Sequence, residues 1–107
     1  MAVPISPQTT AVLAMLAGAI RSGRIRRAMT VRDLAERVGV SAPTIIKVEH
    51  GDPGVAIGTV FEAAMLVGVP LFDEHPDIRD RYAAQLRAEL ALLPAAARPR
   101  REVDDDF

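Results

Sequence analysis

The feature that most narrows what this chain can fold into is a corner three residues long. In "LAERVGVSAPTIIKVEHG", Leu34 to Gly51, two short runs with helical apolar spacing are separated only by Gly39-Val40-Ser41. Leu34, Ala35 and Val38 share one face of the first run, and Ile45 and Val48 share one face of the second. Gly39 can take the positive φ that stops a helix. The Ser41 hydroxyl can accept a hydrogen bond from a free first-turn amide and so start the next helix. Pro43 falls inside that first turn, where its missing N–H does no harm. So short a link forces the two helices to cross steeply. Val40, the one apolar residue of the turn, is expected to plug the core beneath the corner.

The rest of the chain reads as further helices. Ser6-Pro7 is compatible with a helix start, and Leu13, Leu16 and Ile20 then recur at three- and four-residue spacing. Gly23 and the following "RIRR" are expected to end that first helix. Thr30 with Asp33 three residues on is a capping-box pattern for the second. "HGDPG", His50 to Gly54, is turn chemistry. A fourth helix is expected from about Ile57 to Val67, stopped by Gly68. A fifth carries the stripe Ile78, Tyr82, Leu86, Leu90 and Leu93 until Pro94, and this stripe reads as core or as a dimer seam. The expected fold is all-α: a five-helix domain over 1–93, with the paired-helix core at about 20–71. A flexible, charged tail is expected over 94–107, because that segment has few large apolar residues.

Composition fits a small helical bundle. Half of the 107 residues are apolar, yet only four are aromatic and none is Trp, so aliphatic residues must form the core. There is no Cys, which excludes disulfides and thiolate metal sites and suits a reducing cytoplasm. The N-terminal segment lacks a basic residue ahead of its apolar section, so it is a poor secretory signal. No apolar run reaches the roughly 18 residues needed to span a membrane. The net charge of -1 conceals an asymmetry. Residues 1–47 carry seven basic and two acidic side chains, and residues 48–107 carry six basic and twelve acidic ones. The two halves therefore suit different partner surfaces.

The third helix, fixed on one face by Ile45 and Val48, would project Ala42, Pro43, Thr44, Ile46 and Lys47. A helix fits the DNA major groove, and its first-turn residues reach base edges. Thr44 can bond a base edge or a phosphate. Lys47 can donate to guanine or to phosphate, and Ala42, Pro43 and Ile46 offer apolar contact. The first turns of the second and third helices, opened by Thr30 and Ser41, present free amides that suit phosphates. Arg24, Arg26 and Arg27 can line the phosphate backbone. Glu49 is expected to pair locally with an Arg. His50 and His75 are isolated and make no metal site. No nucleophile-and-base pair, phosphate-binding Gly loop or paired carboxylates point to catalysis, and no cofactor or metal is expected.

"MTVRDLAERVGVSAPTIIKVEHG" resembles the helix-turn-helix of the Cro and phage-repressor family, also called the XRE family. The matching residues are Thr30, Leu34-Ala35, Val38-Gly39-Val40-Ser41, Thr44-Ile45, and Lys47-Val48-Glu49 with Gly51. "PGVAIGTVFEAAMLVGV" continues the likeness into the family's fourth helix. The resemblance implies a cytoplasmic, nucleoid-associated regulator that binds double-stranded DNA at a palindromic operator as a homodimer. The family commonly places Gln after the first Thr of its second helix, where it touches the backbone. Val31 stands there here, so that contact would pass to Arg32 or be lost.

A narrower resemblance, carried by "GDPGVAIGTVFEAAMLVGV" and the closing "EVDDDF", is to antitoxins that pair with HipA-type kinase toxins. It implies repression of the protein's own operon and sequestration of the toxin. In that case Phe107 would anchor the tail, and Asp104, Asp105 and Asp106 would reach basic residues of the kinase. Two other roles stay open: a solitary regulator without a protein partner, and an interaction module whose helix-turn-helix is vestigial.

Overall fold

The structure is a computed structural model, and it describes residues 4–72 and 75–95. It contains five helices: α1 (Pro7–Arg26), α2 (Val31–Val38), α3 (Ala42–Glu49), α4 (Ile57–Leu66) and α5 (Pro76–Leu92). There is no strand among the described residues, so the all-α expectation is met. The tail residues Asp104, Asp105, Asp106 and Phe107 lie outside the described residues. The chain divides into two compact units after Phe72: α1 to α4 form the first, and α5 belongs to the second.

The starts of α1, α2 and α3 are written locally. Ser6 caps α1 by accepting from Thr9 N at 3.1 Å. Thr30 and Asp33 form the expected reciprocal capping box of α2: Asp33 N donates to Thr30 Oγ1 at 3.0 Å, and Thr30 N donates to Asp33 Oδ2 at 2.9 Å. Ser41 caps α3 by accepting from Thr44 N at 3.3 Å. α2 ends on Gly39 at φ +88°, the left-handed conformation that an L residue rarely adopts. Gly39 N and Val40 N both donate to Ala35 O, at 2.8 and 3.0 Å, which closes the corner.

Ile20, Leu34, Ala35, Ile45, Val48, Ala63, Ala64 and Val67 form the buried core of the first unit. Burial of the Ile, Leu and Val side chains among them stabilises by roughly 1.5–3 kcal/mol each. α1, α2, α3 and α4 all contribute to it, and Val40 packs against it from beneath the corner, as expected.

Two expectations from the sequence are corrected. α1 ends within the "RIRR" run as expected, at Arg26, but Gly23 does not end it, and the helix continues through that residue. A Cβ on Gly23 would lie 2.5 Å from Val67 O, so the glycine is there to let α1 cross the end of α4. The helix stops instead through Ala28, at φ 55°, with Met29 N donating to Arg24 O at 3.1 Å. Of the two readings of the α5 stripe, core or dimer seam, the first is corrected among the described residues, and exposure in a single chain does not decide the second. Ile78, Tyr82, Leu86, Leu90 and Leu93 are all exposed, and α5 has no buried residue.

Candidate nucleic-acid interface

The corner presents α3 with one face locked and the other in solvent. Ile45 and Val48 are buried, while Pro43, Ile46 and Lys47 are exposed, Ile46 with 45% of its surface accessible. Alternation of these residues through two turns follows from the 3.6-residue period. α1 and α2 both pack on α3, and α4 backs α2, so two helices hold this short helix in place.

One of the projecting residues expected from the sequence is placed differently. Ala42 is half-buried and packs against the core, because the first turn of α3 leans onto it. Thr44 is half-buried, and its hydroxyl lies 2.9 Å from that of Ser41. That pair makes a single polar group at the N-terminus of α3, where the exposed amides and the helix dipole favour an anion. The Thr30 hydroxyl is already engaged in the capping box, and Val31 packs against the core.

The cations separate into two groups. Arg21, Arg26, Arg27, Arg32, Arg37 and Lys47 are exposed, Arg27 while also making a bond within the protein. Arg24 is turned inward: it donates twice to Glu49, from Nε to Oε2 at 2.6 Å and from Nη2 to Oε1 at 3.0 Å, and from Nη1 to Met29 O at 2.9 Å. The Glu49 hydrogen bonds raise its pKa above the ordinary arginine value, burial works against this, and the charge of Glu49 adds to it. Glu49 thus has an Arg partner, but one 25 positions away rather than a local one, and Arg24 is occupied within the protein rather than facing a phosphate. Arg27 donates from Nη1 to Val67 O at 2.6 Å. α4 has no basic residue in its own last turn, and Arg27 supplies one from the α1–α2 connection. The sequence signal for the Arg24–Glu49 tie was partial, because a pairing of Glu49 was expected but its partner was not named. The Arg27–Val67 contact joins residues forty positions apart and had no local signal.

No curated protein and no solved structure matches the chain. A family model described as helix-turn-helix matches residues 20–73, half of the chain, from the buried Ile20 through all of α2, α3 and α4. With the capped α2, the left-handed Gly39 and the half-exposed α3 inside the matched segment, this protein belongs to the XRE-type helix-turn-helix family and is a DNA-binding transcription regulator.

Proposed function

We propose that the protein is a sequence-specific repressor that binds a palindromic operator as a homodimer, and that it is the antitoxin of a toxin–antitoxin module. The observation that carries the DNA-reading part is the exposure of Pro43, Ile46 and Lys47 on α3, opposite the buried Ile45 and Val48. Lys47 donates to a base edge or a phosphate, Thr44 and Ser41 meet a phosphate or base through their joined hydroxyls, and Ile46, Pro43 and Ala42 line an apolar contact. Thr30 with the free amides of α2, and the exposed Arg26 and Arg32, hold the phosphate backbone. These contacts make affinity fall with salt. Arg27 adds to them with the donors not used on Val67 O. Two copies set their α3 helices in successive major grooves, about one helical turn apart.

The antitoxin role is supported by the likeness of "PGVAIGT" and of the acidic, Phe-ended terminus to antitoxins of HipA-like kinases. The acidic tail docks on the kinase, and the protein represses the operon encoding both.

Selection of bound sequences from a random duplex pool tests the DNA-reading part. A palindromic consensus with salt-dependent affinity is expected, and uniform recovery of all sequences would overturn it. Capture from the native cells tests the antitoxin part, using the full-length chain beside one stopped at Ala96. A kinase-sized partner is expected with the full-length chain only. Its presence with both would move the contact to the helical body, and its absence from both would leave a solitary repressor.

A further inference from the structure

We infer that the outer face of α1 is a self-association surface, through which two copies pair antiparallel with Met15 of each seated over Gly18 of the other. This names the interface of the homodimer proposed above and rests on that assignment.

The first observation is the absence of charge. No charged residue precedes Arg21 in the sequence, so most of α1 has none. Its inner face is occupied by Leu13, Leu16, Ala17, Ile20 and Gly23, buried or half-buried. A surface helix normally carries charged residues on its opposite face, and a helix that is apolar all round is normally covered on all sides. Yet Val12, Met15 and Ile25 are 62%, 74% and 56% exposed.

The second observation is Gly18. Glycine in a helix interior is destabilising relative to alanine. Gly18 has no positive φ, and a Cβ there would meet nothing within 4 Å. Neither backbone conformation nor packing within the described chain requires it. Gly23, by contrast, is required by Val67. A close approach from outside gives Gly18 a physical reason.

The face is complementary to itself in one orientation. A two-fold axis between Met15 and Gly18 sets large against small at the centre and lays Ala11 against Ser22, so the helices can approach closely. The antiparallel direction places the exposed Arg21 and Arg26 of the two copies at opposite ends. A parallel pair would stack these two cations on their counterparts. From Pro7 to Ile20 the face carries no cation for a nucleic acid or an acidic partner and no carboxylate for a basic one, so a second copy fits it best. α1 meets α3 and α4 through its inner face, so pairing leaves Pro43, Ile46 and Lys47 uncovered.

Sedimentation equilibrium of the full-length chain without DNA tests the interface. Wild type is expected at twice the chain mass. Met15→Glu and Gly18→Leu are expected at the mass of one chain, with unchanged helical circular dichroism. Both changes fall on exposed positions, so the fold is retained. Met65→Glu and Leu90→Glu, on the exposed stripes of α4 and α5, are expected to leave the dimer intact. A monomeric wild type overturns the proposal. So does a dimer that survives Met15→Glu and Gly18→Leu, whichever of the other two disrupts it. Fluorescence anisotropy on a mixed-sequence duplex, read in parallel, reports DNA binding separately. Loss of DNA binding with the α1-dependent dimer retained would sink the DNA-reading assignment and leave the interface standing.

Discussion

Arg24 and Glu49 join the last turn of α1 to the last turn of α3 through two parallel hydrogen bonds of 2.6 and 3.0 Å. Their side chains are only 12% and 7% exposed. The fork of the guanidinium matches the two carboxylate oxygens, and its third nitrogen donates to Met29 O. The pair therefore sets where the C-terminal end of the DNA-reading helix sits on the body. Removing one partner strands the other charge, and Arg24→Ala or Glu49→Ala is expected to lower stability by about 3 kcal/mol in urea unfolding. Arg24→Lys should not restore it, because an ammonium lacks the fork. Wild-type stability in Arg24→Ala would show that the pair does not hold α3.

Gly23→Ala is expected to destabilise the protein by roughly 1–3 kcal/mol, since the new methyl would press on the backbone carbonyl of Val67. A carbonyl at a helix end cannot rotate aside as a side chain would, so α1 and α4 must move apart. Thermal melting checks this, and a melting point at or above wild type would contradict the close crossing.

Ala28 carries the opposite sign. At φ 55° its methyl is strained in the left-handed region, and Ala28→Gly should relieve about 1 kcal/mol. Denaturant midpoints at constant slope would show the gain, and a decrease would mean that the α1–α2 connection does not hold this conformation in solution.

The capping box makes α2 sensitive to acid. The backbone and side-chain hydrogen bonds from Thr30 hold the Asp33 carboxyl below the usual aspartate value, burial opposes this, and the charge of Arg37 adds to the lowering. A depressed native value means that the stabilisation is complete above the unfolded value near about 4 and fades as pH falls through the native one. Asp33→Asn should therefore flatten the acid limb of a stability–pH curve. Thr30→Ala should cost about 1 kcal/mol at neutral pH. Equally steep acid limbs in wild type and Asp33→Asn would assign the acid sensitivity to another group.

Lys47→Ala should cost on the order of 1–3 kcal/mol in operator binding and relax discrimination at one base pair, if Lys47 reads a base. Unchanged discrimination would demote it to a phosphate contact. Arg26→Ala should weaken all sequences alike and reduce the salt dependence. Arg27→Ala should weaken all sequences alike too, but stability must be measured beside it, because that change also removes the bond to Val67 O.

The corner was legible because its chemistry is local. Thr30 and Ser41 as caps, Gly39 as a left-handed stop and the inward set Leu34, Ala35, Ile45 and Val48 each depend on residues within four positions. Gly23 misled for the same reason. A glycine followed by basic residues looks like a helix end, and nothing nearby in sequence announces the crossing with Val67. Ala42 was read outward from helical period alone, and the lean of α3 onto the core turns it half inward.

By itself the sequence determined five helices, the caps of the first three, the tight turn and the family, because hydrogen bonding and periodicity act over a few residues. The tertiary structure decided which charges are left for a partner. Arg24 and Arg27 look alike in "RIRR", yet one is bound to Glu49 and the other to a carbonyl forty residues away, while Arg26 is exposed. That division follows from helix packing, which brings distant acceptors within 3 Å of some guanidinium groups and leaves the others to solvent.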